Sequence, residues 1–228
     1  MQILKAAIYF TGLLYFILVF PASLAQTPPT EFDYASYDAN FKAVYDGDIK
    51  QVKRLIKSGF PLSKRDSSKR TALHIAAYQS RDEILKLLVD SGGDINALEY
   101  MHYDVITIVA VANDVDLLKL ALKLGGDPTQ VTSLYDGTSL IAAAHLGHAE
   151  VVRILCEAGA PLDHVNNLGW TALLEAVILG DGSEKYVETV GHLLKHQANR
   201  NLADRNGVTP LQHAKADGYR DITILLSN

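Results

Sequence analysis

Between Thr71 and Asn96 the apolar positions come in two short bursts separated by polar residues. The first follows Thr71-Ala72-Leu73-His74 and predicts a small-residue helix over Ile75–Tyr78. A polar break at Gln79–Asp82 precedes a second helix, Glu83–Asp90, with Ile84, Leu85, Leu87, Leu88 and Val89 as its apolar positions. Ser91-Gly92-Gly93-Asp94 closes the unit, as glycine does at helix ends. Two helices this short cannot bury their apolar faces alone, so the unit requires neighbours of the same kind.

Those neighbours recur in phase. Thr138-Ser139-Leu140 leads to Ala142-Ala143-Ala144, Gly147-His148 and Val151-Val152. Gly169-Trp170-Thr171-Ala172-Leu173 opens another unit, and Gly207-Val208-Thr209-Pro210-Leu211 the last. Asp104-Val105-Ile106-Thr107 is a degenerate opening, and Asp38–Asp66 a worn first unit. There Ile49, Val52, Leu55 and Ile56 face Lys50, Lys53, Arg54 and Lys57 across one helix, the pattern of a terminal unit with a solvated outer face. Openings at 38, 71, 104, 138, 171 and 209 are spaced by 33, 33, 34, 33 and 38 residues.

This period, with its Thr-x-Leu-His and Gly-His signals, resembles the ankyrin repeat over residues 38–228. The resemblance implies an all-α solenoid of about six units, near 38–70, 71–103, 104–137, 138–170, 171–208 and 209–228. It also implies that His74 and His148 are structural and that partners bind a concave face of turn tips and inner helices. On that face the residues expected to be exposed are Arg70, Tyr78, Tyr100, His102, Tyr103, Tyr135, His145, Trp170 and Glu175, with Tyr103 and Trp170 favoured as binding anchors. Two departures stand out. His102 sits where the pattern wants glycine, and Asp104 replaces threonine, so an irregular turn is expected there. The 38-residue interval places an insertion at Gly180–Tyr186, between two helices.

The N-terminal pattern differs in kind. Lys5 precedes the apolar run Ala6–Phe20 and the small-residue ending Pro21-Ala22-Ser23-Leu24-Ala25. That reads as a signal peptide, with cleavage expected after Ala25 and a periplasmic or secreted destination. The run is too short to span a bilayer readily. Residues 26–37, with Pro28-Pro29, read as an extended linker, although Tyr34, Tyr37 and Phe41 are candidates to pack on the first unit.

Composition narrows function chiefly by exclusion. The formal charge of −5 becomes 20 − 26 = −6 without Lys5, which offers no attraction to nucleic acid or an anionic membrane. Cys156 is the only cysteine, so no internal disulfide forms, and its place on a second helix reads as core. His145 and His148, and His192 and His196, have helical spacing, yet neither pair comes with the third and fourth ligands a zinc site needs. No nucleophile elbow, phosphate loop or catalytic triad pattern is present. The sequence therefore points to a non-enzymatic protein-binding scaffold that needs no cofactor or metal: an adaptor or stabiliser of an envelope protein. An immunity-like inhibitor of a toxin or secreted enzyme, or a host-directed effector, is the alternative.

Overall fold

The residue that opens each unit is the N-cap of an inner helix. The computed structural model describes residues 26 and 28–228. Asp38 caps α2 (Ala39–Asp46), Thr71 precedes α4 (Ala72–Tyr78), and Asp104 caps α6 (Val105–Val111). Thr138, Thr171 and Thr209 begin α8 (Ser139–Leu146), α10 (Ala172–Ile178) and α12 (Pro210–Ala216). Each cap side chain can accept a first-turn N–H that would otherwise lack a partner. The Asp104 departure is thus a change of cap and not a loss of one: its Oδ1 accepts the Thr107 N–H at 2.7 Å.

Outer helices alternate with these: α3 (Ile49–Lys57), α5 (Asp82–Asp90), α7 (Val115–Lys123), α9 (Ala149–Glu157), α11 (Glu184–Lys195) and α13 (Arg220–Ser227). Successive inner helices pack on one another along one layer, and successive outer helices along a second. Leu73, Leu85, Leu88, Ile106, Leu117, Leu118, Leu140 and Leu155 fill the continuous core between them. Cys156 belongs to that core, and burial pushes its thiol up to about 12. With α1 (Glu31–Ser36), the described residues hold thirteen helices and one small hairpin, β1 (Val131–Thr132) with β2 (Gly137–Thr138). The chain is an all-α solenoid.

Polar straps tie four of the units to the one before. Arg81 donates to the Tyr45 carbonyl, and His148 Nδ1 to that of Ala110 at 3.0 Å. Tyr186 donates to the carbonyl of His145, and Tyr219 to that of Gly180, both at 2.9 Å. All four acceptors lie at or near the C-terminal end of an inner helix, where carbonyls lack helical partners.

The insertion proves to be one of these straps. Its loop is two residues longer than the 79–81 and 112–114 loops, and α11 has 12 residues where α9 has 9. Tyr186 is buried against the preceding unit, and Gly180 leaves no room for a side chain: an added Cβ would lie 2.3 Å from the Ala176 carbonyl oxygen. Residues 28–37 are also more ordered than a linker. Thr30 and Asp33 form a capping box that starts α1, correcting the expectation of an extended segment. Tyr37 and Phe41 are buried, and the Tyr34 ring lies 4.9 Å from that of Tyr45, so this aromatic group does pack on the first unit.

His74 links two turns from inside the fold. Its Nδ1 accepts the Thr71 N–H at 3.1 Å, so Nε2 carries the proton and donates to the Tyr103 carbonyl at 3.2 Å. Burial lowers its pKa from the usual 6.5 to about 4. A depressed pKa contributes stability above the unfolded value that is lost as pH falls through the folded one. We expect wild type to exceed His74→Leu by about 2 kcal/mol at pH 7. The gap should narrow between pH 6.5 and 4, by at most about 3 kcal/mol. Urea denaturation across that range checks this, and a constant gap would refute it.

Candidate functional site

Five successive turns are built on the same clasp. The residue five positions before each helix opening accepts two backbone N–H groups from its own turn. Asp66 accepts from Ser68 and Arg70, Glu99 from Met101 and Tyr103, and Ser133 from Tyr135 and Gly137. Asn166 accepts from Leu168 and Trp170, and Asp204 from Asn206 and Val208. Each turn also needs one residue with positive φ. Gly169 and Gly207 supply it at 87° and 76°, whereas Lys69, His102 and Asp136 adopt it at 58°, 64° and 52° without glycine. The turn at His102 is therefore regular, contrary to the sequence expectation.

Neighbouring turns are joined backbone to backbone. Tyr100 N–H donates to the Ser68 carbonyl, Ser133 to His102, and Asn167 to Tyr135, at 2.9–3.1 Å. The tips consequently form a ladder with fixed spacing, and what they carry is held in place.

Three of the residues expected on the binding face are inside the fold. Arg70 is 1% exposed, with Nε 2.7 Å from Asp66 Oδ2 and Nη2 2.6 Å from Asp33 Oδ1. Tyr103 is buried, its own carbonyl and N–H used by Glu99 and His74. Glu175 is buried as well. It accepts from His145 Nδ1 at 3.1 Å and from the Asn166 amide at 2.9 Å. Burial at the position just before two of the openings corrects the expected exposure of Arg70 and Tyr103. Trp170 shares that position and is half-buried, as are Tyr78 and His145.

The residues that do reach solvent are at the tips. Tyr100 is 61% exposed, with Lys69 Nζ 5.8 Å from its ring centroid, and Tyr135 is 42% exposed. His102 is exposed between them. Leu134 and Leu168 were not expected and are exposed too. Together these residues form an apolar row across three consecutive tips, bounded by Ser67-Ser68 before and Arg205-Asn206 after.

No chemical constellation accompanies the row. His148 is turned to the Ala110 carbonyl while His145 faces Glu175, so the pair does not converge, and His196 Nδ1 bonds the His192 carbonyl. Among the described residues no group of three or more His, Cys, Asp or Glu side chains is placed to hold a metal ion. Among them, too, no helix is long and apolar enough to cross a membrane, and the expected signal peptide lies outside them.

Comparison with known proteins agrees with this geometry. Family models for ankyrin repeats match residues 41–102 and 106–190. The chain is 38% identical over 93 residues to the putative ankyrin repeat protein YahD of Escherichia coli K12, a match that spans 40% of this chain and 46% of that protein. It is 41% identical to an ankyrin repeat domain of Acinetobacter baumannii AYE, covering 82% of this chain and 95% of the other with a TM-score of 0.78. The ankyrin repeat domain of Bcl-3, described as a unique member of the IκB protein family, is 25% identical with a TM-score of 0.75, over 83% of this chain and 85% of that one.

Glu175 tests whether the inner polar network is structural. Glu175→Ala would strand a buried Asn166 amide and one side of His145, and we expect a loss of about 2 kcal/mol. Glu175→Gln keeps an acceptor and should lose less than half as much. Thermal melts of both variants check the order, and equal losses would contradict it.

Proposed function

The chain belongs to the ankyrin repeat family, and from that premise we propose that it is an adaptor or stabiliser of an envelope protein, acting in the periplasm through its turn tips and concave face. Ankyrin repeats are protein–protein interaction scaffolds, a fold that is typically non-enzymatic. The observation that carries the proposal is the row Tyr100, Leu134, Tyr135 and Leu168, exposed on a ladder of clasped turns. Aromatic side chains dominate interface hot spots because they bury large areas at small entropic cost. Tips already fixed by their clasps lose little further freedom on binding. Charge supports a protein partner over nucleic acid, since the formal net charge is −5. The periplasmic part of the proposal rests on the signal-like residues 1–25.

Affinity capture from envelope extract tests it. A Tyr100→Ala/Tyr135→Ala variant alters exposed rings only, so it should fold as the parent does. One envelope protein should bind wild type and bind the variant about 30-fold more weakly, corresponding to about 2 kcal/mol. Equal binding by both would remove the tips from the interface. Capture of a partner only from culture medium or host extract would move the site of action out of the periplasm.

A further inference from the structure

One end of the concave face is already occupied. Gln26 is 8% exposed, and its Nε2 donates 3.1 Å to the carbonyl of Thr107, on the inner helix of the third unit. Seven residues later Asp33 Oδ1 meets the Arg70 guanidinium, at the turn before the second unit. Between them Pro29 is buried and Thr30 closes a capping box onto Asp33 Oδ2 at 2.7–2.8 Å. The segment therefore runs from the third unit back toward the first along the inner side. Pro28 and Pro29 have no N–H to leave unpaired and favour an extended backbone. Two of its anchors are thus a side-chain amide and a carboxylate, groups by which a peptide ligand is held.

Arg70 explains why such a segment is selective. Asp66 takes its Nε and in turn accepts the Tyr37 hydroxyl at 2.9 Å, so the guanidinium is oriented from within the array. Asp33 then adds a second carboxylate on the groove side. If the segment left, the guanidinium would lose its Asp33 pairing, and a carboxylate of the incoming peptide would restore it. The far half of the face, with His145 and Trp170, is outside this segment's contacts with Thr107 and Arg70.

We propose that Gln26 and residues 28–36 are a self-ligand, and that the groove they fill takes a proline-containing acidic peptide segment of the partner, extended at its start and helical around its carboxylate as 31–36 are here, which displaces them. That segment presents an amide side chain to the Thr107 carbonyl and, about seven residues on, a carboxylate to Arg70. The inference rests on the concave-face reading and identifies the class of ligand for its first half.

The test uses the full chain carrying Phe32→Cys labelled with a fluorescent dye. Phe32 is 83% exposed and Cys156 is buried, so the dye reports the segment without disturbing its contacts. The probe is a synthetic peptide of residues 26–37 added in trans. Dye anisotropy should be high at first and fall as the peptide replaces the labelled segment. A peptide with Asp33→Asn should need about tenfold more to do the same. Full chain with Asp33→Asn should bind the wild-type peptide about tenfold more tightly, because its own segment is weakened. The labelled chain decides the matter alone if that variant fails to fold. Anisotropy unmoved by millimolar peptide, or low from the outset, overturns the proposal. A captured partner that loses binding to the tip variant yet leaves the dye immobile overturns it too, while the tip reading stands.

Discussion

Every unit of this protein depends on satisfying polar groups that its neighbour exposes. A helix pair of seven and nine residues leaves apolar faces and unbonded carbonyls that it cannot cover itself. Here the core covers the first and the straps the second. Arg81, His148, Tyr186 and Tyr219 differ in chemistry but perform one task, donating to the end of the preceding inner helix. His74 works in the other direction from within, joining its own helix opening to the next turn. Stability and surface geometry follow from the same contacts, because the groups that hold the units together also fix the spacing of the tips.

That coupling links fold to recognition. A tip whose backbone is bonded to its own clasp and to the adjacent turn presents its side chain with little freedom left to lose. The apolar residues concentrate where the ladder is continuous, from Tyr100 to Leu168, and polar tips flank them. The inner side carries polar contacts instead: the buried ion pairs of Arg70 with Asp33 and Asp66 at one end, and hydrogen bonds of Glu175 with His145 and Asp204 with His213 further along. A ligand meeting this face finds apolar tips beside oriented charge.

Much of the architecture was legible because it repeats. The period, the cap at each opening and the structural parts of His74 and His148 are set by phase, and several in-phase signals reinforce one another. The clasp was legible too but went unread: Asp66, Glu99, Ser133, Asn166 and Asp204 stand five residues before their openings, a column of acceptors of changing type. Arg70, Tyr103 and Glu175 were misplaced because large polar residues were read as surface, while burial there depends on partners in other units. The N-terminal segment was misread for a related reason. Pro28-Pro29 dominated its composition, although Thr30 and Asp33 already spelled a capping box. The contacts to Thr107 and Arg70 bridge long sequence distances, which no local pattern encodes.

If the tips are rigid before any partner arrives, hydrogen exchange of the free protein will show it. The clasped amides of Arg70, Met101, Tyr103, Leu168 and Trp170 should exchange nearly as slowly as those of the inner helices, since they open only when neighbouring units separate. Exchange of these amides at the rate of unstructured loops, with the helices still protected, would contradict it. The tip row would then be an ensemble without fixed spacing, and recognition would have to be explained by ordering on binding.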